Sequence, residues 1–315
     1  MARWAKRYTS ASRRLAVVAL LAVLGVTGCG KESVPSEQAD KPPEGTPAVA
    51  GNNGPSTGTS ANGDNALPPP PQDGQHEPFA KATRGGDDPP PNSNPPPDKT
   101  VSGKSVYKIY KEVVGLWDTI RFVAPDGKRI NYSATVETDM GDIEIALRPD
   151  LAPNHVRNFV ALARAGYYDE LFFDRVVHEE EEVDPGKVQV LDSIEAGCPL
   201  GTGEAGNGSI GYWLKPEFAK PEVKASHEPG TLGACHATEA DTAACRLYIT
   251  LCDAPFLDGN FTVFGKVTRG LDVARRISKQ PLILDEQDAE GSHRPEKPIK
   301  IKKVTIHTSE AEAGR

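Results

Sequence analysis

Cysteine is the first residue type in this chain that could do chemistry, because a thiol can bind a metal, form a disulfide or carry a modification. The 315 residues include five cysteines. None of them shows the Cys-x-x-Cys spacing of common zinc sites, so we expect no metal site. Apart from Cys29 near the N-terminus, four cysteines remain and can pair in three ways. The favoured disulfide joins Cys235 and Cys245, which flank a polar loop.

A second candidate for chemistry is a charged stretch that begins at Arg175. This arginine lies in a Phe-Phe-Asp-Arg-Val-Val run. An arginine is always protonated and holds its donors in a rigid plane, so it can stabilise a transition state. The alternative is a surface arginine beside a strand. Residues 178–192 follow and include four consecutive glutamates. They form either a solvated surface loop, or a lid or a selector for basic substrates.

The N-terminus has the features of an export signal. Several arginines and lysines precede residues 15–26, which form an unbroken apolar run. This run is shorter than the roughly 20 residues that span a bilayer, so residues 1–28 are predicted to be a cleaved signal peptide. Val26-Thr27-Gly28-Cys29 resembles the lipobox of bacterial lipoproteins. We therefore expect Cys29 to be lipidated and to anchor an extracytoplasmic protein. The alternative is an ordinary secretory signal.

Residues 29–104 are predicted to be a disordered tether. Residues 30–104 hold more than half of the 28 prolines and few apolar residues, so burial cannot offset the entropy of ordering. Polyproline ligands for a partner domain are the alternative. Residues 105–132 are a more apolar lead-in segment, which could form a helix, a strand pair or an extra layer.

Residues 133–309 have the pattern of a mainly β domain. The alternation of residues 134–138 and 143–147 around Gly141 predicts a hairpin. Pro153 is expected at the first position of a helix that Gly166 ends. Further strands are predicted at residues 247–251, 262–264 and 303–306, and a short helix at residues 271–277. Many short strands with two helices predict a closed barrel or a sandwich with helical plugs.

This region resembles the cyclophilins through several motifs in the same order. The motifs are Thr-Asp-Met-Gly-Asp-Ile-Glu-Ile from residue 138, Ala-Pro-Asn-His-Val-Arg-Asn-Phe from residue 152, the run around Arg175, Ile-Glu-Ala-Gly-Cys-Pro-Leu-Gly-Thr-Gly from residue 194 and Phe-Leu-Asp-Gly-Asn-Phe-Thr-Val-Phe-Gly-Lys-Val from residue 256. The resemblance implies a cyclophilin-like closed eight-stranded antiparallel β-barrel capped by two α-helices. It also implies a peptidyl-prolyl cis-trans isomerase that needs no cofactor.

The resemblance assigns a role to each candidate site residue. Arg175 takes the position of the catalytic arginine, whose hydrogen bond to the prolyl nitrogen favours the non-planar transition state. The other residues implied to bind substrate are Glu195, the proline-pocket residues Tyr248, Phe256, Leu257 and Phe261, and the backbone-pairing residues Cys235, His236 and Ala237.

Several positions depart from the cyclophilin pattern. The family usually has glutamine at Glu195, asparagine at His236, phenylalanine at Tyr248 and a polar-tipped ring at Phe261. The insertion at residues 178–192 also replaces a connection that supplies a Phe and a Met to the pocket. We expect Glu195 to pair with Arg175 and slow the reaction, so that Glu195→Gln would raise kcat/KM about tenfold. The alternative is that Glu195 suits basic substrates.

The sequence therefore predicts an isomerase, of reduced activity, that assists the folding of exported proteins. Its expected partners are proline-containing exported polypeptides and, through the lipid, a membrane, and it is expected to be a monomer. The net charge of −8 argues against nucleic acid. The alternatives are a proline-peptide binding or scaffold lipoprotein that has lost activity, and a structural envelope lipoprotein.

Overall fold

The computed structural model describes residues 80–81, 93–204, 206–218, 225–284 and 293–310. Within these ranges the α-helices are α1 (Val106–Trp117), α2 (Pro153–Arg164) and α3 (Leu271–Ser278), and two 3-10 helices span Ala240–Thr242 and Pro255–Leu257. The strands are β1 (Ala80–Lys81), β2 (Ile130–Thr138), β3 (Gly141–Leu147), β4 (Phe173–Asp184), β5 (Lys187–Ala196), β6 (Tyr212–Trp213), β7 (Thr231–Ala234), β8 (Leu247–Thr250), β9 (Val263–Arg269), β10 (Leu282–Leu284), β11 (His293–Pro295) and β12 (Ile301–Glu310).

Eight of these strands form one antiparallel barrel. Their order is β12-β2-β3-β9-β7-β8-β5-β4. Two hydrogen bonds between the start of β4 and the start of β12 close the barrel. Ile301 N–H donates to Leu171 O at 2.7 Å, and Phe173 N–H donates to Ile299 O at 3.1 Å. The predicted cyclophilin-like barrel is therefore confirmed, and the pairing of β2 with β3 confirms the predicted hairpin.

The barrel interior is filled by the apolar residues that alternate along the strands. In β2 every second residue from Tyr132 to Thr138 is buried, and in β3 Ile143, Ile145 and Leu147 are buried. Side chains of successive strand residues point to opposite faces, so this alternation commits one face to the core. Helix α2 covers this core with Phe159 and its apolar neighbours. Its predicted proline start is confirmed.

The lead-in segment adds a helix to this barrel. Val106, Ile109, Val113 and Trp117 of α1 are buried at helical spacing. Arg157 of α2 places its guanidinium carbon 5.9 Å from the Trp117 ring centroid and donates from Nε to Ile120 O at 3.2 Å. The open question about residues 105–132 is thus answered, because residues 106–117 form a helix that packs on α2 and residues 130–132 already belong to β2.

The last part of the expected tether also lies on the domain. Lys104 Nζ donates to the carbonyl oxygens of Gly166, Tyr167 and Asp169, and Val101 N–H donates to Pro199 O at 2.7 Å. The structure therefore differs from the expected tether boundary at residue 104, because a composition rich in proline does not exclude such specific contacts. Cys29 and the predicted signal peptide lie outside the described residues.

None of the helices in the described part of the chain has the length and apolar character needed to span a membrane.

Candidate functional site

The candidate site lies on the face of the barrel sheet that points away from the main core. Cross-strand neighbours Arg175, Glu195, Tyr248 and Gly233 form one row across β4, β5, β8 and β7. Successive residues of a strand point to opposite faces of the sheet. Val176 and Ile249, which follow Arg175 and Tyr248, accordingly point into the main core. The strand register therefore brings together residues that are far apart in sequence.

An apolar cluster adjoins this row. Its buried members are Val177, Leu191, Cys235, Tyr248, Ala254, Leu257 and Phe261, and Phe256 packs against them. Five of these residues were predicted from the cyclophilin resemblance. Val177 and Leu191 were not predicted, and they come from the hairpin that carries the acidic insertion. They provide apolar surface although the Phe and Met of the family pattern have no counterpart here. Gly233 leaves room for the Tyr248 ring, because a Cβ there would overlap it.

Two arginines share the carboxylate of Glu195. Arg246 Nη2 donates to Glu195 Oε2 at 2.5 Å, whereas Arg175 Nη1 lies 3.5 Å from Glu195 Oε1. Arg175 Nη2 also lies 3.8 Å from Glu179 Oε1. The expected contact between Glu195 and Arg175 is thus present, but it is the longer of the two. Arg246 was missed by the sequence analysis, since no motif that we recognised includes it.

Burial sets the electrostatics of this group. It raises the pKa of Asp174 to about 7, although Arg246 acts in the opposite direction. It likewise raises the pKa of Glu179, against the effect of Arg175. Burial lowers the pKa of Arg246, but Glu195 and other acidic neighbours raise it above its ordinary value. The Arg246 guanidinium therefore stays protonated beside the Asp174 carboxyl, which burial makes harder to ionise.

A hydrogen-bonded chain satisfies the hydroxyl of Tyr248. His227 Nδ1 lies 2.7 Å from Asp258 Oδ1, and His227 Nε2 lies 2.7 Å from Tyr248 Oη. Burial lowers the pKa of His227, with Asp258 opposing the shift. A neutral ring that donates from Nδ1 to Asp258 accepts from the tyrosine at Nε2. His227 and Asp258 were not predicted as site residues, although Asp258 lies within the motif that begins at residue 256.

The predicted backbone-pairing segment is held by the protein's own contacts. Cys235 N–H donates to Arg246 O at 3.2 Å, and Ala237 N–H donates to Thr242 Oγ1 at 2.7 Å. The His236 ring stacks on Phe261 with a centroid distance of 4.3 Å. These two N–H donors are therefore occupied, and the His236 ring packs on the apolar cluster through Phe261.

The prediction of a disulfide between Cys235 and Cys245 is wrong. Cys235 and Cys245 are both free. The Cys235 side chain belongs to the outer apolar cluster, whereas Cys245 belongs to the main core and donates from its thiol to Gly208 O at 2.7 Å. Closeness in sequence did not bring the thiols together because the two side chains pack in different clusters.

Within the described ranges no group of three or more His, Cys, Asp and Glu side chains is arranged to hold a metal ion.

Comparison with known proteins identifies a family. The family model "Cyclophilin type peptidyl-prolyl cis-trans isomerase/CLD" matches residues 133–306. Peptidyl-prolyl cis-trans isomerase B of Bacillus subtilis is 39% identical over 154 residues, which are 49% of this chain and 94% of that protein. Peptidyl-prolyl cis-trans isomerase-like 3 of Rhizopus delemar is 32% identical over 178 residues, which are 56% of this chain and 95% of that protein.

Two further matches are a longer relative and a solved structure. Peptidyl-prolyl cis-trans isomerase-like 2 of Rhizopus delemar is 34% identical over 191 residues, and the chain spans only 32% of its length. Among solved structures, a cyclophilin-type isomerase of Cryptosporidium parvum is 26% identical, with 57% of this chain and 99% of that chain covered and a TM-score of 0.46.

Proposed function

This chain belongs to the cyclophilin-type peptidyl-prolyl cis-trans isomerases, and we propose that it isomerises prolyl bonds in exported proteins with Arg175 as its catalytic residue. The observation that carries this proposal is the position of Arg175. It lies in one cross-strand row with Glu195 and Tyr248, and Val177, two residues further along β4, belongs to the apolar cluster. A fixed cation thus borders the apolar cluster.

The chemistry requires these two features and little else. Rotation about a peptide bond crosses a barrier of about 18–20 kcal/mol, because resonance makes the bond partly double. A hydrogen bond to the prolyl nitrogen stabilises the transition state, in which the lone pair is no longer shared with the carbonyl, more than the planar ground state. In this proposal the apolar cluster holds the pyrrolidine ring while Arg175 donates to the nitrogen. No bond is made or broken, so no nucleophile is needed.

The role of Arg175 is tested by measuring prolyl exchange in an Ala-Pro peptide by NMR. We expect Arg175→Ala to lower kcat/KM by roughly 100-fold or more, as the loss of one preorganised donor typically does. Arg269→Ala is the matched control, because Arg269 is an exposed arginine paired with Glu144 on another part of the barrel. If both variants fold and keep equal activity, Arg175 is not the catalytic residue.

We also propose that Cys29 anchors the protein to a membrane outside the cytoplasm. The support is the lipobox-like sequence after a short apolar run. In the native host the wild-type protein should partition into the detergent phase, and Cys29→Ser should remove it from that phase. Cys252→Ser is the control, since this partly exposed thiol lies in the barrel domain. Equal partition of wild type and Cys29→Ser contradicts the anchor without affecting the isomerase proposal.

A proline-peptide binding protein with weak activity is the second candidate. The observation in its favour is that two carboxylates, those of Glu195 and Glu179, lie within 4 Å of the Arg175 guanidinium. The same NMR experiment separates the two functions. Peptide binding without faster exchange supports the second function, and faster exchange supports the first.

A further inference from the structure

We propose that Arg246 is a positioning residue for catalysis, because it holds the Glu195 carboxylate away from Arg175. This inference rests on the proposed catalytic role of Arg175. It assigns a function to a residue that the sequence motifs did not include. It also explains how the site can contain a glutamate at the position where the family usually has a neutral glutamine.

The contacts of Glu195 are unequal. Its Oε2 accepts a hydrogen bond from Arg246 at 2.5 Å, while its Oε1 lies 3.5 Å from Arg175. The first distance is that of a strong charge-assisted hydrogen bond, and the second is at the limit of hydrogen bonding. Most of the attraction of this carboxylate is therefore directed at Arg246. The Arg175 guanidinium keeps donors that can turn to a prolyl nitrogen.

The backbone fixes Arg246 independently of Glu195. Its Nη2 donates to Gly203 O at 2.8 Å, and its Nη1 donates to Glu204 O at 3.1 Å. The same loop touches the strand of Arg175. A Cβ at Gly203 would lie 2.8 Å from Asp174 O and 3.2 Å from Arg175 Cβ. Arg246 thus ties Glu195 to the loop that borders Arg175.

Removal of the Arg246 charge would redirect Glu195. The side chains of Arg246 and Glu195 are only 2% and 5% exposed, so water cannot replace the lost partner at little cost. The nearest remaining cation is Arg175. We expect the carboxylate to close on it as a charge-assisted pair, which occupies the donors that catalysis requires.

The test compares three variants by NMR prolyl exchange in an Ala-Pro peptide, with folding checked by circular dichroism. Arg246→Gln should lower kcat/KM about tenfold, equivalent to about 1.4 kcal/mol of barrier. Arg246→Lys keeps a cation and should lose less. Arg246→Gln combined with Glu195→Gln removes both charges, so Arg175 is released and kcat/KM should return to within about threefold of wild type.

Arg157→Gln is the matched control for a general loss of stability. Arg157 is also a buried arginine, but it packs on Trp117 and Phe122 of the lead-in segment. Arg157→Gln should lower Tm and leave kcat/KM of the folded protein unchanged.

Arg175→Ala is measured alongside these variants. A strong loss in Arg175→Ala with no loss in folded Arg246→Gln overturns only the role of Arg246. No loss in Arg175→Ala overturns the proposed catalytic role as well.

Recovery of activity in the double variant distinguishes a positioning role of Arg246 from a role in packing alone. Equal impairment of Arg246→Gln and the double variant, both folded, overturns the proposal. If Arg246→Gln does not fold, the double variant and Arg246→Lys carry the test. The proposal then requires both to keep kcat/KM within about tenfold of wild type, and it is overturned if either is folded and falls below that range.

Discussion

Replacement of Glu195 by glutamine should destabilise the barrel by about 3 kcal/mol, because it removes one partner from a buried ion pair. The loss of one partner from such a pair typically costs about 3–5 kcal/mol. Arg246 keeps its hydrogen bonds to Gly203 O and Glu204 O, so we expect the lower end of this range. For a domain of this size, about 3 kcal/mol corresponds to a fall in Tm of roughly 6–12 °C.

The assay is thermal unfolding of wild type and Glu195→Gln at pH 7, monitored by circular dichroism. Glu144→Gln is the control, since Glu144 pairs with Arg269 on the surface and its loss should barely change Tm. The reasoning is refuted if Glu195→Gln lowers Tm no more than the control does. The sequence alone led us to expect only a faster enzyme from Glu195→Gln. The shorter contact with Arg246 changes the expectation, because the glutamine leaves a buried guanidinium without its nearest counter-charge.

Three further predictions concern other parts of the described structure. A chain that begins at residue 105 should melt several degrees below one that begins at residue 93, because it lacks the contacts of residues 93–104; equal Tm values would show that these contacts are not stabilising. Tyr248→Phe should lower the free energy of unfolding by about 1–3 kcal/mol, because it leaves buried His227 Nε2 without its partner. Denaturant unfolding checks this prediction, and an unchanged midpoint contradicts it. Since the pKa of Asp174 is raised to about 7 in the fold, the folded state binds the extra proton between about pH 4 and pH 7. The stability of wild type relative to Asp174→Asn should therefore fall as pH rises through this window, and a difference that stays flat with pH contradicts the burial of this carboxyl.

The family, the barrel and most of the apolar cluster could be predicted from the amino-acid sequence alone. Short motifs in a fixed order allow this prediction, because they contain residues that set the local backbone structure and residues that the chemistry requires. Pro153 begins a helix since its fixed φ suits the first position, and the alternation in β2 and β3 commits one face to the core. Leu257 and Phe261 lie in one such motif and also in the apolar cluster. These properties depend on neighbours within a few residues.

The contacts between charged groups and the positions of the thiols depend on how distant strands pair in the folded chain. Glu195 and Arg246 are 51 residues apart, and their contact depends on the pairing of β5 with β8. Cys235 and Cys245 are close in the chain, but their side chains pack in different clusters. A contact between distant residues requires strand pairing and side-chain direction together, and no local pattern contains both. For this reason Arg175 could be proposed as the catalytic residue from the sequence, whereas the contact of Arg246 with Glu195 could not.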